Sequence, residues 1–439
     1  MYTIKNLNNV NKEINIPPDK SISHRALIFS SLSKGTTTIK PFLISNDTLA
    51  TLDCIKKCGV KFSLNKNGTL VVKGQGLFYP RKTKVNLYAG ESGTTFRIFT
   101  GVLCGQKFSS YFDAHQLLRK RPMSRITGPL GLMGANIKAK KNNHIDYPPI
   151  IITPSEKLNG INYKMPIPSA QVKSAILLAA LYSNETTIIK ESYLSRDHTE
   201  RMLSLFKAPI EIKNKTIVLN PIKKLISPKE IFIPSDFSSA AFFIVLGLIC
   251  NNSEIVLKNI NLTPSRAGLL KVLKRMGANI KVINKKNTFE PYGDLIVKSS
   301  KLLATTINKS EIPSMIDEIP ILCVAASHAK GKTSILGVKE LKVKETDRID
   351  STIYNLSKAG VNISAEKYIE KGNEDWLINI EECKNFKNAK FKSFSDHRTA
   401  MSAIVLGSTI GKKTILNETD CINKSFPNFI AFYNSLYKK

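Results

Sequence analysis

A polar stretch that leads straight into an apolar run recurs six times along the chain, at residues 16–21, 89–94, 166–171, 233–238, 312–317 and 394–398. With Ser21, Gly93, Gln171, Ser238, Asp317 and His397 as markers, the intervals are 72, 78, 67, 79 and 80 residues. A second marker keeps the same period. A helical pattern ends at a small residue and an alternating, strand-like stretch begins at Gly59-Val60-Lys61, Gly134-Ala135-Asn136, Gly277-Ala278-Asn279 and Gly360-Val361-Asn362, with a weaker version at Lys207-Ala208-Pro209. Glycine past a last helical residue takes the left-handed conformation that closes a helix, and period-two alternation suits a strand. Each repeat therefore reads as helix, turn and strands. The longest apolar run, Ala240 to Cys250, is too short to cross a bilayer and reads as a buried helix.

The polar residues sit at the same place in every repeat, the expected helix N-terminus, where unpaired N–H groups and the helix dipole favour anions. Six such ends brought together make an anion site. Solenoid repeats are generally shorter and more alike than these. The stiff segments Pro17-Pro18-Asp19 and Ile233-Pro234-Ser235 read as two crossings between halves of three repeats each. This predicts one domain from 1–18 plus 236–439, another from 19–235, the first strand in the C-terminal half, and substrate in the cleft between the halves.

At 439 residues the chain exceeds the size at which one core stops growing, which agrees with two halves. Its 42% hydrophobic and 23% charged residues are those of a folded globular protein. The formal charge of +31 raises a nucleic-acid surface as a rival reading. The lysines are scattered, however, and one Trp with dispersed Tyr makes no base-stacking platform, so the charge reads as solvated surface that helps steer small anions. Residues 1–10 show no apolar signal core or Arg-rich amphipathic stretch, and a cytoplasmic location is expected. The seven cysteines have no disulfide or zinc spacing, and Cys54 and Cys58 read as buried free thiols.

The chemistry concentrates in charged helix starts. Lys20, Ser21 and Arg25 cluster at one of them, with Ser21 and Arg25 four apart on one face. Residues 195–202, 343–349 and 396–401 have the same character. Asp19 to Leu27, Gly90 to Arg97, Lys120 to Met123, Pro168 to Leu178, Ser195 to Met202, Asp236 to Phe243, Ile316 to Pro320, Glu340 to Ile349, Asp396 to Met401 and Lys424 to Pro427 resemble the 5-enolpyruvylshikimate-3-phosphate synthase family, from Asp19 to Pro427. That resemblance implies an α/β (α+β) fold of two similar domains, each of three βαβαββ units around buried parallel helices. It also implies transfer of the carboxyvinyl group of phosphoenolpyruvate to the 5-hydroxyl of shikimate 3-phosphate, by a monomer without metal, cofactor, nucleic-acid or membrane partner.

By position, the resemblance implies shikimate 3-phosphate contacts at Lys20, Ser21, Arg25, Ser169, Ala170, Gln171, Ser195, Asp317 and Lys344. Phosphoenolpyruvate contacts fall at Lys20, Gly93, Arg121, Gln171, Arg348, Arg398 and Lys424. Planar guanidinium forks suit carboxylate and phosphate. Asp317 is expected to be the base near the attacking hydroxyl, with Lys20 and Glu345 interchangeable for proton transfer at the enolpyruvyl carbon. Asp317 also reads as an N-cap of the apolar helix from Ile319, and His397 as either a helix-start residue or a substrate contact. Glu91 departs from the Asn of many relatives, where a carboxylate repels the substrate unless a cation pairs with it. UDP-N-acetylglucosamine 1-carboxyvinyltransferase is the nearest alternative. Its loop cysteine before an Arg-Pro pair is absent here, since the loop reads Asp113 to Lys120 before Arg121-Pro122, and Ser21 stands where it has Asn.

Overall fold

The computed structural model describes residues 1–370 and 372–437, which divide into two compact units, Met1–Pro17 with Ser235–Lys439 and Pro18–Pro234. We call the first the two-segment unit and the second the middle unit. Among the described residues no helix is long and apolar enough to cross a membrane.

In the middle unit, three sheets repeat one plan: a first strand parallel to a second, then two antiparallel strands. Val85–Tyr88 lies parallel to Ser110–Asp113, which is followed across the sheet by Ile145–Thr153 and Asn136–Asn142. Asn162–Lys164, Thr187–Lys190, Thr216–Leu219 and Ile210–Lys213 repeat it. The remaining sheet is closed from the far end of the unit, because Leu225–Ile226 and Glu230–Phe232 supply the strand parallel to Ser33–Lys40. In the two-segment unit, Asn11–Ile14 is likewise parallel to Glu254–Leu257, so the first long strand of the chain pairs with the C-terminal half. The sixth repeat is abbreviated. After Ala389–Phe391 and Thr414–Leu416 no hairpin follows among the described residues, and Tyr2–Ile4 adds antiparallel in its place.

A largely buried helix leads into the second strand of each plan: Lys20–Leu32, Gly93–Cys104, Ala170–Ala180, Phe237–Ile249, Ile319–Ser327 and His397–Thr409. All but one residue of Phe237–Ile249 is buried, and Ile319–Ser327 is buried throughout. A helix that is apolar all round, as these two nearly are, must be enclosed, and the six together form the two cores. Packing is close: a Cβ on Gly101 would lie 2.2 Å from the carbonyl oxygen of Ala175 on the neighbouring helix. In four repeats the second helix ends at a left-handed glycine where the small-residue marker predicts it, with φ of 95° at Gly59, 87° at Gly134 and Gly277, and 91° at Gly360. In the weaker repeat Lys207 takes that conformation, at 63°.

Candidate active site

Five of the six core helices start on a side-chain cap: Asp19, Ser92, Ser169, Asp236 and Asp396 each accept from a backbone N–H of the first turn. Capping holds the chain's polar residues at the positively polarised helix ends. In the middle unit, the Asp19 cap puts Lys20 on the first helical residue, with its Nζ 2.9 Å from Asp47 Oδ2. Asp47 stands in the first turn of the helix Asn46–Lys57. One turn on, the buried Arg25 donates to Ser21 O at 3.0 Å, Thr199 Oγ1 at 2.7 Å and Ser174 Oγ at 2.8 Å. Its guanidinium is thereby fixed before any ligand arrives.

The Gly93 and Ala170 helix starts are joined by Gln171, which accepts from Arg97 Nη1 at 2.7 Å and donates to Thr94 Oγ1 at 3.1 Å. Gly93 faces two guanidinium groups: a Cβ there would stand 3.2 Å from Arg121 Nη1 and 3.4 Å from Arg97 Nη1. Ser195 Oγ donates to Glu191 Oε1 at 2.5 Å. The other oxygen of Glu191 takes Lys173 Nζ at 2.8 Å, which also meets Glu200 Oε1 at 2.6 Å, all three side chains being almost wholly buried. Burial opposes the Lys173 charge, yet Glu200 and Glu191 together raise its pKa above the ordinary value. Burial in turn pushes the Glu200 carboxyl up, against the pull of Lys173.

In the two-segment unit the centre is Arg348, 1% exposed. Its Nε donates to Asp396 Oδ2 at 2.9 Å, Nη1 to Asp317 Oδ1 at 2.9 Å and Nη2 to Glu345 Oε2 at 2.6 Å. Asp396 uses its second oxygen to cap Arg398 N and Thr399 N, at 2.7 and 3.3 Å. Arg398 reaches back to Asp317, with Nη1 3.3 Å from the backbone oxygen and Nε 3.9 Å from Oδ1. Lys344 Nζ is also 3.9 Å from that oxygen. Burial pushes the Lys344 ammonium below its ordinary pKa, with Asp317 pulling the other way and Arg348 adding to the depression. Lys424 Nζ donates to Ser395 O at 3.3 Å, next to the Asp396 cap. Asp317 is not the N-cap of the following helix. The helix Ile319–Ser327 starts after Glu318, without a side-chain cap, and Asp317 occupies the 3-10 turn Ile316–Glu318 with its carboxylate turned to the three cations.

Each unit therefore gathers guanidinium and ammonium groups at helix starts. The family model described as EPSP synthase (3-phosphoshikimate 1-carboxyvinyltransferase) matches residues 4–432. The chain belongs to that family. The 3-phosphoshikimate 1-carboxyvinyltransferase of Petrotoga mobilis is 44% identical over 98% of this chain and 97% of that protein. The one of Thermodesulfovibrio yellowstonii is 42% identical over 99% of each. The solved EPSP synthase of Acinetobacter baumannii superposes with a TM-score of 0.85 at 36% identity, covering 99% of this chain and 98% of that one. The enolpyruvyl transferase NikO from Streptomyces tendae, at 13% identity and a TM-score of 0.76, shares the fold.

Within this EPSP synthase family chain, several residues of the two clusters escaped the sequence reading. Asp47, Arg97, Lys173, Glu191 and Glu200 hold site positions in the middle unit. In the two-segment unit, the buried Arg266 pairs with the cap Asp236 at 2.9 Å and lies 3.6 Å from Glu318, which also accepts from Ser238 Oγ and meets Arg398. A lysine inside the apolar helix Ala170–Ala180 was a legible signal, since a buried ammonium requires a carboxylate partner. Glu91 has its Oε1 3.6 Å from the imidazole Nδ1 of His115. His397 is a buried first residue of its helix.

Proposed function

We propose that this chain transfers the carboxyvinyl group of phosphoenolpyruvate to the 5-hydroxyl of shikimate 3-phosphate and releases phosphate. The observation that carries the reading is the placement of Asp317, one carboxylate ringed by Arg348, Lys344 and Arg398. The 5-hydroxyl oxygen bonds to C2 of phosphoenolpyruvate while its proton passes to Asp317 and C3 gains a proton. In the second step C3 gives that proton up, the double bond returns and the C2–O bond to phosphate breaks. No electrons are gained or lost. Lys20 and Glu345 serve the proton transfers at C3, and positioned acid–base groups of this kind contribute about 10²–10⁴-fold each.

Lys20, Ser21, Arg25, Ser169, Ala170, Gln171, Ser195, Asp317 and Lys344 take shikimate 3-phosphate in this scheme. Lys20, Gly93, Arg121, Gln171, Arg348, Arg398 and Lys424 take phosphoenolpyruvate. Arginine forks and helix N-termini supply paired donors for the two anions. We place the activity in the cytoplasm, with one chain as the working unit.

Phosphate release from phosphoenolpyruvate, measured in parallel with shikimate 3-phosphate and with UDP-N-acetylglucosamine, tests the assignment. Release with shikimate 3-phosphate alone is expected. Release with the sugar nucleotide, or with neither acceptor, would refute it. Gly93→Ala probes the subsite separately. A methyl group 3.2 Å from Arg121 Nη1 makes that guanidinium give way, so KM for phosphoenolpyruvate rises by about tenfold, the effect of roughly 1.4 kcal/mol of lost binding, while KM for shikimate 3-phosphate stays within twofold. Initial rates over both substrates measure this.

A further inference from the structure

The Lys20 ammonium is held by Asp47, and the backbone that carries Asp47 is itself tied down by a chain of enclosed polar groups. His24, one turn after Lys20, is fully buried, and its Nδ1 lies 2.7 Å from Thr51 Oγ1. Thr51 Oγ1 lies 2.7 Å from Thr95 Oγ1, and Thr95 donates to Ser92 Oγ at 2.7 Å, with Asp47 O a longer acceptor at 3.3 Å. Ser92 Oγ also accepts from Thr95 N at 3.1 Å as the cap of its helix. Thr51 and Thr95 are fully buried and Ser92 is 1% exposed. These four side chains join the N-terminal halves of three helices, Lys20–Leu32, Asn46–Lys57 and Gly93–Cys104.

The direction of the bonds follows from counting protons. A hydroxyl has one to give. Thr95 gives its own to Ser92, so Thr51 must donate to Thr95, and the His24 ring must donate from Nδ1 to Thr51. That assignment leaves Nε2, which is buried with no hydrogen-bond partner among the described residues, as a bare nitrogen. Burial and the nearby Lys20 and Arg25 charges all favour the neutral ring, holding its pKa well below the ordinary value.

We propose that His24, Thr51 and Thr95 are positioning residues, which fix the Asp47 turn so that Lys20 is held in register with the Gly93 helix start. The proposal rests on the reading that Lys20 acts at the enolpyruvyl carbon. Nothing in the chain of bonds touches substrate. Its contribution is geometric, and a small misplacement of a catalytic group costs up to about 100-fold in rate.

The test uses the full-length protein with saturating substrates and four variants. Thr51→Val keeps the shape and removes the hydroxyl, and His24→Leu removes the ring donor. Thr51→Ser restores the hydroxyl, and His24→Asn places an amide N–H close to where Nδ1–H stood. Expected are losses in kcat of about 10- to 100-fold for Thr51→Val and His24→Leu, with KM for shikimate 3-phosphate within twofold, and recovery to within threefold of wild type for the other two. Thr51→Ser as slow as Thr51→Val, or all four at the wild-type rate, would overturn the proposal. Asp47→Asn keeps the test open if the apolar variants do not fold: a similar drop in kcat supports the scheme, and an unchanged kcat sinks it. Wild-type turnover in the same assay marks the transferase reading as sound, so normal variant rates would count against the positioning role alone.

Discussion

Asp317→Asn is expected to lower kcat by about 10²–10⁴-fold, the range for loss of a positioned general base, while the protein stays folded. Asparagine retains an oxygen that accepts from Arg348 Nη1, and Arg348 keeps its bonds to Asp396 and Glu345. The scaffold therefore loses little. What disappears is the carboxylate that takes the hydroxyl proton, a role played only as the new bond forms, so the loss appears in kcat and kcat/KM together rather than in KM. Steady-state rates with both substrates varied, alongside a thermal melt, measure this. A kcat within threefold of wild type at an unchanged Tm would remove Asp317 from the base role.

Arg348→Met is expected to destabilise the fold by about 3–5 kcal/mol, the cost of removing one partner from a buried ion pair. Arg348 is 1% exposed and is the shared donor for Asp317, Glu345 and Asp396. Without it three carboxylates face one another, and Asp396, fully buried, keeps only its capping bonds to Arg398 N and Thr399 N. Lysine does not substitute. One ammonium on a flexible stem cannot reproduce a planar fork that reaches three acceptors in fixed directions. Urea titration of both variants checks the prediction, with Arg348→Lys expected to fall between wild type and Arg348→Met. A midpoint for Arg348→Met equal to that of wild type would show that the cluster adds nothing to stability.

The features legible in the chain were those governed by neighbours in sequence. Asp19, Ser92, Ser169, Asp236 and Asp396 act on N–H groups within the next three residues, so the core-helix starts could be read directly. Gly59, Gly134, Gly277 and Gly360 sit where a left-handed residue must end a helix, and the strands after them follow from alternation. Asp317 shows where such local reasoning stops. A carboxylate just ahead of an apolar helix has the look of a cap, but Arg348, 31 positions away, takes its oxygen instead. A charge-assisted bond to a buried guanidinium outweighs a bond to one neutral backbone N–H.

By itself the sequence determined the sixfold period, the enclosed helices, the polar helix starts and the resemblance from which the fifteen site positions were named. Only the tertiary structure decided which distant groups complete them. It brought Asp47 to Lys20, Arg97 to Gln171, Glu191 and Glu200 to Lys173, and Arg266 to Asp236. It also closed the first sheet with Leu225–Ile226 and Glu230–Phe232, and finished the shortened sixth repeat with Tyr2–Ile4. The reason is the range of the forces involved. Caps and turns are bonds within a few residues, so their energy is written in short sequence, whereas a buried charge or an open strand edge is satisfied by whatever group the packed fold brings within about 3 Å.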